Sequence, residues 1–255
     1  MIGRTLLMLA LLLPARAATA ETAGELPAEC RVAQHLVENG VPLPQVLKAI
    51  AAKRLSILVI GAGSSLLPGP NGQKDAYPER LRSALAERFP GVEITVATDV
   101  KARRTALEMV KVLPEDLAAS KPNLVIWQTG TVDAMQGVDQ DEFSHALDKG
   151  IAKARAAGAD VVLINSQYSP RTDSMIALGS YGETLRWVAV QREVPLFDRF
   201  SVMKLWGDLG TFDLYSATKK LDIAGRVHDC IGRLLAEMIV AAAKPEAPPV
   251  QVPGK

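Results

Sequence analysis

Short apolar runs alternate with longer amphipathic segments along most of the chain, and this alternation restricts the fold more than any other feature. Five runs have the length and the β-branched content of buried strands: 56–60, 92–98, 123–130, 160–165 and 194–197. Helical periodicity separates them, over 77–88, 105–113, 140–157, 182–192 and 222–243. Strands that alternate with helices in this way form parallel βαβ units. We therefore predict an α/β fold, a flavodoxin-like three-layer αβα sandwich with a parallel sheet of about five strands.

The ends of the chain differ in composition from its middle. A basic Arg4, an apolar run over 6–13 and the small residues Ala18-Thr19-Ala20 are typical of a cleavable signal peptide. An uncleaved membrane anchor is the alternative, but the run is far shorter than the roughly 20 residues of a membrane span. The predicted organisation is a signal peptide (1–20), an N-terminal helical lead (21–54), one domain (55–243) and a disordered proline-rich tail (244–255). We expect a periplasmic or secreted protein, with no transmembrane span after cleavage.

Charge and cysteine content narrow the possible partners and the compartment. The net charge of +1 over 255 residues gives no reason to expect nucleic acid or an anionic membrane as a partner. Only Cys30 and Cys230 are present, and in an oxidising compartment two thiols favour one disulfide. Two unrelated buried thiols are the alternative. No pair of histidines or cysteines has metal-ligand spacing, so we expect neither a metal site nor a cofactor.

A glycine-rich turn follows the first predicted strand. The stretch 59–69 reads VIGAGSSLLPG, and loops at the carboxyl ends of parallel strands are where α/β sheets place their sites. Either Ser64 or Ser65 could be a nucleophile. Nucleotide binding through the GxG at 61–63 is poorly supported, because Leu66 replaces the third glycine of the GxGxxG fingerprint and prolines follow where a helix should begin.

Six stretches, in this order and within about 55–240, together resemble the SGNH (GDSL-type) hydrolase family, in particular its exported bacterial members. They are VIGxxSS after the first strand, AYPERLRSALAERFPGVEITV, PNLVIWQTGTVDA, GADVVLINSQYSP, VPLFDRFSVMKLW and HDCIGRLLAEMI. The resemblance implies a parallel α/β sandwich and ester hydrolysis. A serine after the first strand would attack, and a late histidine, oriented by an aspartate three residues before it, would take the proton. A glycine amide and an asparagine side chain would form the oxyanion hole.

The sequence departs from this family at the nucleophile and at the oxyanion hole. Gly63 occupies the position of the nucleophile, and Ser64 and Ser65 lie one and two residues later. In the motif Gly130-Thr131-Val132-Asp133, Val132 replaces the asparagine and has no hydrogen to donate. The family's glycine-rich turn after the second strand reads TDVKARR here, without glycine.

The acid and the base are altered as well. The family's D-x-x-H positions fall on Lys219 and Asp222. Of the three histidines, His35 precedes the domain and His145 lies on a surface-type helix. His228 is the remaining candidate base, although a packing histidine on the apolar face of the last helix is the simpler interpretation.

From these departures we predict a catalytically degenerate SGNH-fold protein that binds an acylated carbohydrate or a cell-envelope glycan. The predicted pocket comprises Gly61, Gly63, Ser64, Ser65, Gly130, Thr131, Asp133, Gln167 and Tyr168. The alternative is an active serine esterase, with Ser64 as a displaced nucleophile and His228 or Asp133 as its partner.

Overall fold

The computed structural model describes residues 26–38, 40–176, 178–216 and 220–243. The predicted signal peptide and proline-rich tail lie outside the described residues. Five strands are present: β1 (Arg54–Gly61), β2 (Glu93–Val100), β3 (Leu124–Gln128), β4 (Asp160–Ile164) and β5 (Leu196–Phe197). The α-helices are α1 (Pro44–Ala51), α2 (Gly72–Asp75), α3 (Tyr77–Arg88), α4 (Ala106–Ser120), α5 (Thr131–Gln136), α6 (Gln140–Ala156), α7 (Pro170–Asp173), α8 (Leu178–Gln191), α9 (Arg199–Asp208) and α10 (Leu221–Ala242). Short 3-10 helices lie at Ala28–Cys30, Gln34–Leu36 and Gly63–Ser65.

The strands form one parallel sheet in the order β2-β1-β3-β4-β5, which confirms the predicted sandwich. Alternate side chains of β1, β3, β4 and β5 enter different core layers, whereas the edge strand β2 contributes to only one of them. In β1, Ile57 and Val59 pack on the side of α3, α9 and α10, whereas Leu58 and Ile60 pack on the side of α4, α6 and α8. Such two-sided burial is the reason that the strands read as continuous apolar runs.

Helices α4 and α9 differ most from the sequence prediction, and the short helices α2, α5 and α7 were not predicted. The predicted helix 105–113 stops at Pro114, but α4 continues to Ser120 with Pro114 inside it. Proline cannot donate to the carbonyl four residues earlier, and here Lys153 Nζ lies 3.4 Å from that oxygen, on Val110. Helix α9 was not predicted, because it follows β5 without a turn signal. The Asp198 side chain caps it by accepting from the Ser201 amide.

Cys30 and Cys230 form a disulfide between the N-terminal segment and α10. Both residues are fully buried, within the core layer that α3 and α10 share. Sequence reasoning favoured this pairing, and the fold brings the two ends together because α10 returns along the sheet face that the N-terminal segment covers. None of the described helices is long and apolar enough to span a membrane.

Candidate functional site

A cavity of about 280 Å³ opens at the carboxyl edge of the sheet. The turn after β1 lies there, between β2 on one side and β3 on the other, at the point where the strand order reverses and parallel sheets form their binding crevice. Ser64, Gln167, Ser169 and His228 supply the polar part of the lining. The other walls are mostly apolar and come from 66–68, α9 and the first half of α10.

Ser64 borders this cavity, and its hydroxyl has two partners on the protein. Its Oγ lies 3.2 Å from Gln128 Oε1 and 3.2 Å from Arg199 Nη2. Arg199 Nη1 also donates to the main-chain oxygen of Ser64, at 3.2 Å. Because a guanidinium can only donate, the serine oxygen accepts from Arg199 and its own proton goes to Gln128. The Ser64 hydroxyl is therefore held by a cation and an amide, and neither of them is a base.

Gln128 ends β3 and is fully buried behind the turn. Its Oε1 accepts from the Ala62 amide at 3.1 Å, which fixes the orientation of the side-chain amide because a main-chain N–H cannot accept. The same oxygen lies 3.0 Å from Ser65 Oγ, which in turn contacts Tyr77 Oη at 3.0 Å. A Cβ at Gly61 would approach Ser65 Oγ to 2.6 Å, so only glycine permits this packing. Ser65 is thus a buried hydrogen-bonding residue.

Arg199 is a fully buried cation, and no carboxylate of the described residues pairs with it. Its neighbour Asp198 faces the other way and bonds to Arg186, at 2.8 Å, and to Asn165, at 2.7 Å. The Nε atom of Arg199 has no hydrogen-bond partner within the described part of the chain. Burial lowers the pKa of Arg199 to about 10, so the group is still charged at neutral pH. The turn after β1 therefore lies against an uncompensated positive charge.

His228 borders the same cavity and is oriented by the packing of α10 on α3. The two helices approach so closely that a Cβ at Gly232 would lie 2.7 Å from the Leu81 amide nitrogen. One turn earlier on each helix, the Tyr77 amide donates to His228 Nδ1 at 3.0 Å. Since Nδ1 accepts, the neutral imidazole carries its proton on Nε2.

The environment also keeps His228 uncharged. Burial, and after it the charge of Arg199, lowers the pKa of His228 to about 3. An imidazole with Nδ1 occupied and Nε2 protonated has no lone pair free to take a proton from a serine. Within the described residues, no hydrogen bond joins Ser64 to His228.

Asp133 is not part of the cavity lining and lies in the first turn of α5. It is fully buried and accepts from the Ala106 amide at 2.8 Å and from the Gly130 amide and Thr129 Oγ1, both at 3.1 Å. Burial raises its pKa, and these three bonds oppose the rise. The carboxyl group thus joins the turn after β3 to the first turn of α4. Of the predicted pocket residues, the cavity lining includes Gly63, Ser64, Gln167 and Tyr168, but not Gly61, Ser65, Gly130, Thr131 or Asp133.

The family's other catalytic positions hold no acid or base beside Ser64. A Cβ at Gly63 would lie 3.6 Å from that of Ala102, an ordinary contact, so packing does not exclude a side chain at the nucleophile position. Asp222 is exposed in the first turn of α10, and Lys219 lies outside the described residues. His35 and His145 are both exposed, on segments away from the cavity.

A second charged cluster links β2 to α4. Arg104 is buried and pairs with Asp99. This pairing lowers the pKa of Asp99 in spite of its partial burial. Burial and the neighbouring Asp99 raise the pKa of Asp116 to about 6. Asp116 therefore keeps its proton in weak acid, in which Asp99 is ionised.

Larger cavities lie elsewhere. One of about 480 Å³ separates the segment 35–41 from α8, and one of about 880 Å³ lies at the amino edge of the sheet. Neither of these two cavities is lined by both a hydroxyl and an imidazole. The cavity beside Ser64 is lined by both, so we place the candidate site there. Among the described residues, no group of three or more His, Cys, Asp or Glu side chains could hold a metal ion.

The sheet order and the serine-bearing turn after β1 define the class of protein, an SGNH-type hydrolase fold. The chain is similar to a lipase/acylhydrolase from Enterococcus faecalis, at 15% identity over 76% of this chain and 100% of that chain, with a TM-score of 0.61. TesA is 22% identical over 71% of this chain and 99% of that chain, with a TM-score of 0.55. A catalytic mutant of an acetylxylan esterase from Geobacillus stearothermophilus is 17% identical over 72% of this chain and 94% of that chain, with a TM-score of 0.56.

The family follows from the sequence itself. Residues 29–245 match the Non-GDSL lipase-like family, and the chain belongs to that family. No curated protein matches the sequence.

Sequence reasoning missed the two residues that hold Ser64. Neither Gln128 nor Arg199 is among the pocket residues predicted from the sequence. A signal for Arg199 was present, because a charged residue stood among apolar ones directly after β5. In the sequence, Arg199 and the adjacent Asp198 read as an ion pair. In the structure, their side chains lie on different sides of the chain and do not pair.

Proposed function

We propose that this protein binds an acylated sugar, or a related cell-envelope glycan, in the cavity beside Ser64 and leaves its ester bonds intact. One observation carries the proposal. The Ser64 hydroxyl lies between Arg199 and Gln128, and the imidazole that borders the cavity uses its Nδ1 to accept a main-chain N–H.

Hydrolysis through a serine needs a group that removes the hydroxyl proton as the oxygen attacks. Arg199 is always a donor, and Gln128 Oε1 is an amide oxygen with negligible basicity. His228 is neutral, but its protonated Nε2 cannot accept a proton. The family's oxyanion asparagine is Val132, which supplies no donor. The general base for Ser64 and the oxyanion asparagine are both missing, and groups that act as a unit lose nearly all activity when one is removed.

The lining of the cavity suits an acyl group with a polar end. Its apolar walls include Leu66, Met203 and Val227, while Ser64 and His228 offer hydrogen-bond donors at one side. A volume of about 280 Å³ is near the lower limit of ligand pockets, roughly 300 to 1,000 Å³, and fits a short acyl group better than a whole oligosaccharide. The acetylxylan esterase of the same fold favours a carbohydrate ester as the source of that group.

We propose an exported location for this binding. The disulfide between Cys30 and Cys230 supports it, because structural disulfides persist in oxidising compartments. The signal-peptide pattern over 1–20 agrees with it.

Ester hydrolysis with Ser64 as a displaced nucleophile is the second candidate. It is favoured by the presence of Ser64 and His228 on the walls of the same cavity. For this chemistry, His228 would have to give up its bond to the Tyr77 amide and move its proton to Nδ1. Asp133 cannot replace it, since three hydrogen bonds hold that carboxyl behind the turn after β3.

The two candidates are separated by turnover and binding measured on the same preparations. We expect hydrolysis of p-nitrophenyl acetate to be equal in the wild type, in Ser64→Ala and in the exposed control Ser174→Ala. Titration calorimetry with an acetylated xylooligosaccharide should give saturable binding. Ala224→Phe, which fills the cavity, should abolish that binding, and Ala152→Phe on the exposed face of α6 should not. A rate that Ser64→Ala alone removes would establish the esterase instead.

A further inference from the structure

We infer that the ligand of this cavity carries a carboxylate, and that Arg199 selects this carboxylate through Ser64. The inference rests on the proposed function, namely that the cavity binds a ligand without hydrolysing it. It goes further by naming the chemical group that the polar side of the cavity recognises.

The first reason is the charge that the fold buries. Arg199 has no exposed surface, its Nε is unpartnered, and none of the described carboxylates lies within 4 Å of its guanidinium. A buried charge is stable only when an opposite charge or a full set of acceptors accompanies it. The two acceptors that Arg199 has both belong to Ser64, and both are neutral. An anion beside Ser64 would supply the missing charge.

The second reason is that Ser64 can transmit the charge to the cavity. Arg199 Nη2 donates to the Ser64 hydroxyl oxygen, so the serine can donate its own proton to a ligand. That proton now points to Gln128 Oε1, where the Ala62 amide and Ser65 Oγ also donate. An amide oxygen has two lone pairs and here has three donors, so Ser64 can turn its proton into the cavity while Gln128 keeps two partners. A carboxylate, which only accepts, is the natural recipient.

The third reason is that the field of Arg199 also reaches His228. Its charge contributes to the lowered pKa of His228, which borders the cavity. The potential inside the cavity is therefore positive, and a neutral ester gains much less from it than a carboxylate does. Hydrogen bonds to charged groups are about twice as strong as neutral ones.

Two sources could present such a carboxylate. A short alkanoate would place its chain along the apolar walls, whereas an acidic sugar of an envelope glycan would bring a carboxylate on its ring. Hexanoate and glucuronate represent these sources, and hexanamide and glucose are their neutral counterparts.

The test is titration calorimetry of these four compounds into the full-length mature protein, Arg199→Met and Arg54→Met. Arg54 is exposed at the opposite end of β1, so its substitution removes one positive charge without touching the cavity. We expect at least one carboxylate to bind about tenfold or more tightly than its neutral counterpart. This preference should disappear in Arg199→Met and persist in Arg54→Met. The compound that shows this preference, hexanoate or glucuronate, identifies whether the carboxylate belongs to an alkanoate or to an acidic sugar.

A merely structural role for Arg199 would leave the charge preference of the ligand unchanged. Equal binding of a carboxylate and its neutral counterpart to the wild type would overturn the inference, and so would no binding of all four compounds. Both of these outcomes are measured on the wild type alone, so they remain decisive even if Arg199→Met does not fold. The proposed function has a separate test, because it fails only through Ser64-dependent ester turnover or through lack of binding of the acetylated oligosaccharide.

Discussion

Replacing Arg199 by methionine should leave the ligand-free protein as stable as the wild type, or slightly more stable. Burial lowers the pKa of Arg199 to about 10, which corresponds to a penalty of about 3 kcal/mol on the charged form. Methionine has a similar length and removes the penalty. It also removes two hydrogen bonds from the charged guanidinium to Ser64, each worth about 1.5 kcal/mol. The penalty and the two bonds nearly cancel, so the expected net change is less than about 1 kcal/mol.

Thermal unfolding and urea unfolding of both proteins at pH 7, without ligand, measure this balance. A change of about 1 kcal/mol would shift the Tm of a chain of this size by about 2 to 4 °C, so the Tm values of the two proteins should agree within about that interval. Hexanoate, or the acidic sugar if that is the preferred ligand, should raise the Tm of the wild type and not that of Arg199→Met, because only the wild type gains from binding it.

A loss of more than about 3 kcal/mol in Arg199→Met would refute this reasoning. Such a loss would mean that the guanidinium is well compensated inside the fold and that its bonds to Ser64 hold the turn after β1. Arg199 would then be a structural residue, and the argument for a charged ligand would lose its main support. Retention of a residue that costs stability is expected at binding sites, where function opposes stability.

Three further predictions concern titration and covalent structure. Below about pH 6.5 the unfolded chain protonates His228 and the folded chain does not, so the wild type should lose about 1.4 kcal/mol of unfolding free energy per pH unit between about pH 6 and 4. His228→Asn should abolish this loss, as measured by urea unfolding at each pH. The unfolded chain releases the Asp116 proton near about pH 4, whereas the folded chain holds it up to about pH 6, so stability falls as the pH rises between these values. Asp116→Asn should therefore raise the Tm more at pH 8 than at pH 5. Replacement of both Cys30 and Cys230 by alanine opens a loop of 200 residues and should lower the free energy of unfolding by about 5 kcal/mol in urea.

Most of the fold could be predicted from the sequence because its elements are determined locally. The apolar runs of β1, β3 and β4 identify strands that are buried on both faces, and the helix Tyr77–Arg88 was predicted with its observed bounds. The errors had tertiary causes. Helix α4 passes Pro114 because a lysine from a neighbouring helix lies near the freed carbonyl, and no local pattern shows that.

The candidate site could be predicted only in part. Its position followed from the family resemblance and from the rule that parallel sheets bind ligands at their carboxyl edge. The partners of Ser64 could not be predicted, because Gln128 and Arg199 reach it from strands and helices that are distant in sequence. The tautomer of His228 depends on the contact between α3 and α10, which only the packed structure reveals.

Whether Ser64 has a general base is best tested by measuring the protonation of His228. Long-range ¹H–¹⁵N correlation spectra of the three histidines, recorded from pH 8 to pH 4 and assigned with His228→Asn, report the tautomer and the pKa of each ring. We predict that His228 is neutral over the whole range, with its proton on Nε2. A proton on Nδ1, or a His228 that titrates near pH 6.5, would contradict it and restore Nε2 as a base for Ser64.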